Sequence, residues 1–328
     1  MAMLDAGERH GAIDLVRGLR VRGVAPDELI ADLLAPAQQR VGELWQTGAW
    51  NVAQEHAATN IVDSALSDIE LHTHVALVQG AIVVACAEGE WHALPARMLA
   101  QQLRHRGWSV TFLGASTPAT DLARFLDATA PLAVAISCSI PIFLSGAQRS
   151  IEAAHACGCP ALVGGAGFGI DDRRSRVLGA DGWGATPAAA DALLTAWKAH
   201  APELRQQMFH LAALSLAAIR SDIVDNALEL LTARFTAVRS YDQDQLDRTR
   251  EDLGYIQQFI EASILTGDGT VLDHFLPWLE TVLTSRGLPR QIVGAGLDAL
   301  AEATPPDQPE ARSLLQAASN LAKRPARS

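Results

Sequence analysis

Apolar positions recur at helical spacing through the first 76 residues. Leu29, Ile30, Leu33, Leu34, Val41, Leu44 and Trp45 form one stripe, and it follows Pro26 and Asp27, which suit a helix start. An earlier helix is predicted over about His10 to Val21, and a third from Asn51, with Val52, Ile61, Val62, Ala65, Leu66 and Ile69 facing inward. From about residue 77 to 200 the pattern changes to short apolar runs alternating with helical stripes. The runs are Ala81–Ala87, Ser109–Leu113, Leu132–Cys138, Ala161–Val163 and a short one near Asp181–Gly184. Between them, Ala96–Arg106, Thr120–Ala128, Leu144–Ala156 and Asp172–Leu178 read as helices. Such alternation predicts an open parallel sheet with helices on both faces. After Pro202 only helical stripes follow: Leu204–Arg220, Ile223–Val238, Leu246–Leu265, Val271–Thr284, Gln291–Ala301 and Ala311–Ala322. Three domains are therefore expected, at 1–76, 77–200 and 201–328.

Parallel sheets bind ligands beyond the carboxyl ends of their strands, and the polar and glycine-rich signals of this chain gather there. After the first run comes Gly89-Glu90-Trp91-His92, after the second Gly114-Ala-Ser116-Thr117-Pro118, after the third Ser137-Cys-Ser139, after the fourth Gly164-Gly165-Ala-Gly167. A histidine two residues after a carboxylate can have one ring nitrogen held while the other takes a metal. Taken alone, His92 would sooner be a surface loop histidine, and glycines also serve plain turns. Four signals on one edge favour a site. In the first segment, Trp45 precedes Glu55 and His56 across a turn containing Gly48 and Trp50. Trp45 is either a core residue, with the Glu-His pair on a solvated face, or it converges with that pair on a common point outside the bundle.

These residues carry a family resemblance. The middle segment resembles the cobalamin-binding domain of methionine synthase and its relatives, whose motif is carboxylate-x-His-x-x-Gly with a later serine motif and a Gly-Gly pair. The resemblance implies that His92 is the lower axial ligand of cobalt and that Glu90 orients it. It also implies that the displaced dimethylbenzimidazole tail enters a slot beside Ser137, Ser139 and Gly164 to Gly167. Trp91, Ser116 and Thr117 join the expected cofactor contacts. Pro95 stands where the motif has glycine, so the loop below His92 is a point of departure. Trp45, Glu55 and His56 are similar to the cap motif of the CarH and LitR light-dependent photoreceptors, which implies that the bundle covers the upper face and shelters a 5'-deoxyadenosyl group. Those proteins can carry a histidine just after the tryptophan; here it is Gln46. They also begin with a DNA-binding domain, whereas this chain starts almost directly with the cap.

The third segment looks like the helical domain of photocobilins, which combine cobalamin with a bilin. The resemblance implies a biliverdin pocket, with Tyr255, His274 and Trp278 as candidates and Phe259, Phe275 and Arg250, Arg286 or Arg290 as company. A plain aromatic core is the competing reading, and heme on His210 or His274 is another. The four cysteines, Cys86, Cys138, Cys157 and Cys159, all precede residue 201, so a bilin held mainly by this segment would be noncovalent.

The fold expected is multidomain: a helical cap, a flavodoxin-like doubly wound sheet of the Rossmann type, and an all-helical domain. Composition narrows function further. With 49% hydrophobic and 19% charged residues the 328-residue chain is globular. Its net charge of -11 disfavours direct DNA binding. No apolar run reaches the ~20 residues of a membrane span, and no signal-peptide pattern opens the chain, so a cytoplasmic protein without membrane contact is expected. The cysteine spacing suits neither a zinc site nor a disulfide framework. The expected function is a light sensor binding adenosylcobalamin, a regulator rather than a turnover enzyme, acting on an unknown downstream protein or enzyme and capable of homo-oligomerisation. A corrinoid carrier for methyl transfer and a cobalamin-dependent antirepressor are the alternatives.

Overall fold

The computed structural model of the protein describes residues 1–206, 211–236 and 238–323. It divides into two compact units, Met1–Met208 and Phe209–Ser328. The expected helical cap and the sheet thus fall in one unit.

The cap begins with helices Ala2–Asp5 and Arg9–Val21, followed by the short turn Pro26–Glu28. A wider π-helical stretch, Leu29–Leu34, then leads into helix Ala35–Gln46. Pro36 has no N–H to give the preceding turn and its ring crowds it, which accounts for the widening. The long helix Val52–Leu71 closes the bundle and is capped by Asn51, whose side chain accepts from Gln54 N while Gln54 caps in return. Leu29, Ile30, Val41, Ile61, Val62, Leu66 and Ile69 form its core, as the stripes predict. The tryptophan in that core is Trp50, not Trp45, which is only half-buried.

The sheet has five parallel strands, β1 Gly80–Cys86, β2 Trp108–Phe112, β3 Ala133–Ser137, β4 Ala161–Gly164 and β5 Gly182–Trp183, in the order β2-β1-β3-β4-β5. Helices cover it: Ala93–His105, Ala119–Thr129, Leu144–Ala156, Arg173–Val177 and Pro187–Ala199. All of β3 and the last five residues of β1 are buried, which is why these strands read as continuous apolar runs. The chain reverses its direction of build between β1 and β3, where Cys86 pairs with Ser137. That crevice is the topological switch point at which such sheets bind ligands. Helix Pro187–Ala199 is absent from the sequence expectation. It starts at Thr186, whose hydroxyl accepts from Ala189 N, with Pro187 in its first turn.

The second unit contains six helices among the described residues: Leu211–Ala218, Arg220–Arg234, Gln243–Thr266, Thr270–Ser285, Gln291–Ala303 and Pro309–Ala322. The expected Leu204–Arg220 helix is shorter: residues 204–206 are not helical, and 207–210, including His210, lie outside the described residues. Helix Arg220–Arg234 likewise stops short of the expected Val238, which belongs to a separate turn, Val238–Ser240.

Candidate functional site: a histidine at the sheet switch point

β1 ends at Cys86 and the chain turns through Gly89, whose φ of +88° lies in the left-handed region that glycine adopts without strain. Glu90 follows and is wholly buried. Its carboxylate accepts four hydrogen bonds. Oε1 takes His92 N at 2.8 Å and His92 Nδ1 at 2.5 Å, while Oε2 takes Ser139 N at 2.7 Å and Ile140 N at 3.1 Å. Burial pushes this carboxyl up, but the bonds from His92 and the Ser139 amide outweigh it and hold Glu90 below the usual carboxylate range. Conversely, the hydrogen bond to Glu90 raises the His92 imidazole against the effect of burial, and the charges of Glu90 and Glu55 add to it. With Nδ1 committed to Glu90, Nε2 is the nitrogen left for a metal. The His92 side chain is 55% exposed.

His92 also occupies the N-cap position of helix Ala93–His105, with its side chain turned to Glu90 rather than to the helix end. Pro95 falls in that helix's first turn, where a missing N–H costs nothing, so the departure from the glycine motif leaves the His92 turn intact. Trp91, beside His92, is 73% exposed and offers an uncovered indole face.

The β2 loop braces the same turn. Ser116 has a φ of 44°, unusual for a residue with a side chain. Its N–H donates to Glu90 O at 2.8 Å and its Oγ accepts from Gly89 N at 3.1 Å. Thr117 Oγ1 is buried without a hydrogen-bond partner. Ser137 is buried at the end of β3 and half-buried Ser139 follows, its backbone rather than its hydroxyl gripping Glu90. The glycines have packing roles. A Cβ at Gly165 would lie 2.4 Å from Cys138 O, at Gly167 2.9 Å from the same oxygen, and at Gly164 2.9 Å from Gly184 O.

Residues that sequence reasoning missed complete the support. A Cβ at Gly146 would lie 1.9 Å from Glu88 O, so helix Leu144–Ala156 presses directly on the turn before Glu90. Glu88 Oε2 accepts from Arg149 Nε at 3.1 Å and from Ala119 N at 3.4 Å. The glycine at 146 was visible in the sequence as a break in a helical stripe, but its partner sixty residues away was not.

On the cap, Glu55 is half-buried and His56 exposed, with His56 Nδ1 bonded to Glu55 Oε2 at 2.5 Å. The charge of Glu55 reaches His92 and adds to the rise of its imidazole pKa, so Glu55 lies within electrostatic range of the His92 edge. The cap is docked on the helix that His92 begins. Arg97 bonds Asp63 at 2.5 Å, Ser67 at 2.9 Å and Glu70 at 3.0 Å, Arg104 bonds Glu70 at 2.6 Å, and His105 and Arg106 both bond Asp27. Leu94 and Met98 of that helix enter the cap's core.

The donor set fits a corrinoid. One imidazole nitrogen is offered, and no cluster of three or more His, Cys, Asp or Glu that could hold a bare ion occurs among the described residues. That is what a metal carrying its own equatorial macrocycle needs. Thr117 Oγ1 supplies an unmet polar group on the same edge for an amide-rimmed ring.

Comparison with known proteins agrees. Residues 80–191 match the family model described as B12 binding domain, and residues 2–69 match a second model of the same description. Both matches fall within the first unit. Over 145 residues the chain is 35% identical to the HTH-type transcriptional repressor CarH of Myxococcus xanthus, a stretch that is 43% of this chain and 48% of that protein. The chain therefore spans about half the length of this curated relative. Among solved structures, the monomethylamine corrinoid protein of Methanosarcina barkeri superposes with a TM-score of 0.52 at 16% identity, over 60% of this chain and 94% of that one. At that identity the likeness shows the fold, and the B12-binding fold is the one the strand order displays.

In the second unit, Phe259 and Phe275 are buried and stacked on each other with centroids 3.6 Å apart, so they are core. His274 is exposed, Trp278 is 38% exposed and Tyr255 50% exposed. His274 and Trp278 share one face of helix Thr270–Ser285, and Tyr255 lines a cavity of 530 Å³ with Arg220, Ser221 and Arg250. Arg250 is engaged by Asp225 and Arg290 by Glu280.

Proposed function

We propose that the protein is a light sensor holding adenosylcobalamin between the cap and the β1–β3 crevice, with His92 on cobalt and the nucleotide base displaced. The observation that carries this reading is the Glu90-held His92, within electrostatic range of Glu55, beneath a cap that docks on His92's own helix. When bound, the cofactor supplies a cobalt–carbon bond that light can break. Glu90 holds Nδ1 of His92, which leaves Nε2 as the nitrogen for the metal, while its charge makes a proton a stronger competitor for that nitrogen. Trp45, Glu55 and His56 would cover the upper ligand and exclude water, and Ser137, Ser139, Thr117 and Trp91 would meet the lower face and tail. A ligand that bridges cap and sheet biases the packing of one on the other, and its loss removes that bias. The test is reconstitution with adenosylcobalamin in darkness followed by green light: a changed visible spectrum is expected, and an unchanged one would sink the proposal.

For the second unit we propose a noncovalent biliverdin. Gln257 is fully buried and neither atom of its amide has a hydrogen-bond partner, an unmet demand that a bilin's pyrrole nitrogens and lactam oxygens would meet. A red-absorbing band on adding biliverdin is the expected result. The competing reading of the whole chain is a corrinoid carrier for methyl transfer, since His92 and its supports serve either purpose. Preference for the adenosyl over the methyl form separates the two.

A further inference from the structure

The cap contains a hydrogen-bond chain that ends in an unmet acceptor. On helix Ala35–Gln46, Gln38, Gly42 and Trp45 are spaced i, i+4 and i+7, which puts them on one face. On helix Val52–Leu71, Glu55 and Thr59 are likewise one turn apart. Gln38 Nε2 donates to Thr59 Oγ1 at 2.8 Å, Thr59 Oγ1 donates to Glu55 Oε1 at 2.8 Å, and Glu55 Oε2 bonds His56 Nδ1 at 2.5 Å. Chemistry sets the direction of this chain. An ionised carboxylate only accepts, so the single hydroxyl proton of Thr59 goes to Glu55, and Thr59 can only accept from Gln38. Gln38 must therefore turn its amide NH2 to Thr59 and its carbonyl oxygen elsewhere. That oxygen is buried and has no hydrogen-bond partner. A Cβ at Gly42 would meet nothing within 4 Å, so open space borders the face between Gln38 and Trp45.

We propose that Gln38 and Thr59 make the cap selective for upper ligands that carry hydrogen-bond donors, a nucleoside rather than a methyl group. This rests on the reading of the cap as the cover of an adenosylcobalamin upper face. Thr59 is a positioning residue: it fixes one oxygen of Glu55 while His56 fixes the other. Gln38 orients Thr59 and presents its own oxygen as an acceptor. Ribose hydroxyls and the exocyclic amine of adenine are donors that would satisfy it, whereas a methyl group has none and leaves the oxygen unmet. A buried polar group that only the right ligand satisfies is the kind of device that gives strong discrimination.

The full-length protein is titrated in darkness with adenosylcobalamin and with methylcobalamin, following the visible spectrum. The wild type is expected to prefer the adenosyl form. Thr59→Val and Gln38→Leu should each weaken adenosylcobalamin binding about tenfold while leaving methylcobalamin binding within about twofold, which also reports that the cap is folded. Thr59→Ser keeps the hydroxyl and should keep the wild-type preference. Equal losses for both corrinoids, an unaltered ratio in the variants, or a Thr59→Ser that behaves like Thr59→Val overturns the proposal. A wild type that binds both forms without preference overturns the adenosyl reading beneath it as well, and that outcome is visible before any variant is made.

Discussion

In the proposed role of His92, a proton and the metal would compete for the same nitrogen. Because Glu90 raises the imidazole pKa, the proton competes from a pH above the ordinary value of about 6.5. Cobalamin affinity through His92 is therefore expected to bend downward as pH falls through the raised value, seen as a pH-dependent Kd in spectral titration. Glu90→Gln removes the carboxylate, moves that bend to lower pH and weakens binding about tenfold. In the metal-free protein the same pair acts on stability. Its ion-paired form contributes in full between about 4.3 and about 6.5, the unfolded values. The contribution fades as pH rises through the raised His92 value or falls through the lowered Glu90 value. The cysteines behave differently. Burial, with nearby Glu90 adding, pushes the Cys86 thiol up to about 12, burial does the same for Cys159, and it raises Cys138 too. Only Cys157 is half-open. A thiol reagent is expected to modify about one cysteine promptly in the folded protein and all four after denaturation.

The elements around the site meet at backbone contacts that leave no room for a side chain. Gly146→Ala would put a methyl group against Glu88 O, so either helix Leu144–Ala156 or the β1 turn must move. The expected cost is about 2 kcal/mol in urea unfolding, with a loss of cobalamin affinity beyond it because the displaced turn carries Glu90 and His92. How legible such elements were depends on the range of the contact. β1, β3 and β4 stood out because they are buried on both faces over most of their length, β2 because buried and exposed positions alternate along it, and the Glu90–His92 pair because its partners lie two residues apart. Helix Pro187–Ala199 was missed because its alanine-rich sequence offers little contrast between faces, although Thr186-Pro187 marks its start. The grip of Ser139 and Ile140 on Glu90, and of Gly146 on Glu88, joins residues about fifty to sixty apart through backbone atoms, which no side-chain pattern reports. In the second unit Phe259 and Phe275 are stacked in the core, and Trp278, on the same helix as Phe275, stacks on it with ring centroids 6.0 Å apart.

In the first unit as a whole, the cap rests largely on arginines of a single helix. Arg97 makes three of those bonds, and Arg97→Ala is expected to cost about 2 kcal/mol in urea unfolding and to loosen the cap, read as faster release of bound adenosylcobalamin in the dark. No helix among the described residues is long and apolar enough to cross a membrane. Helix Ala93–His105 has His92 at its first turn and Asp27's clasp on His105 and Arg106 at its last. It is about 20 Å of stiff rod, at ~1.5 Å per residue, with the proposed metal ligand at one tip and Asp27's hold on the cap at the other. A tug on the imidazole is then a tug on the cap: the rod converts a change of ligand at one atom into leverage over an entire bundle.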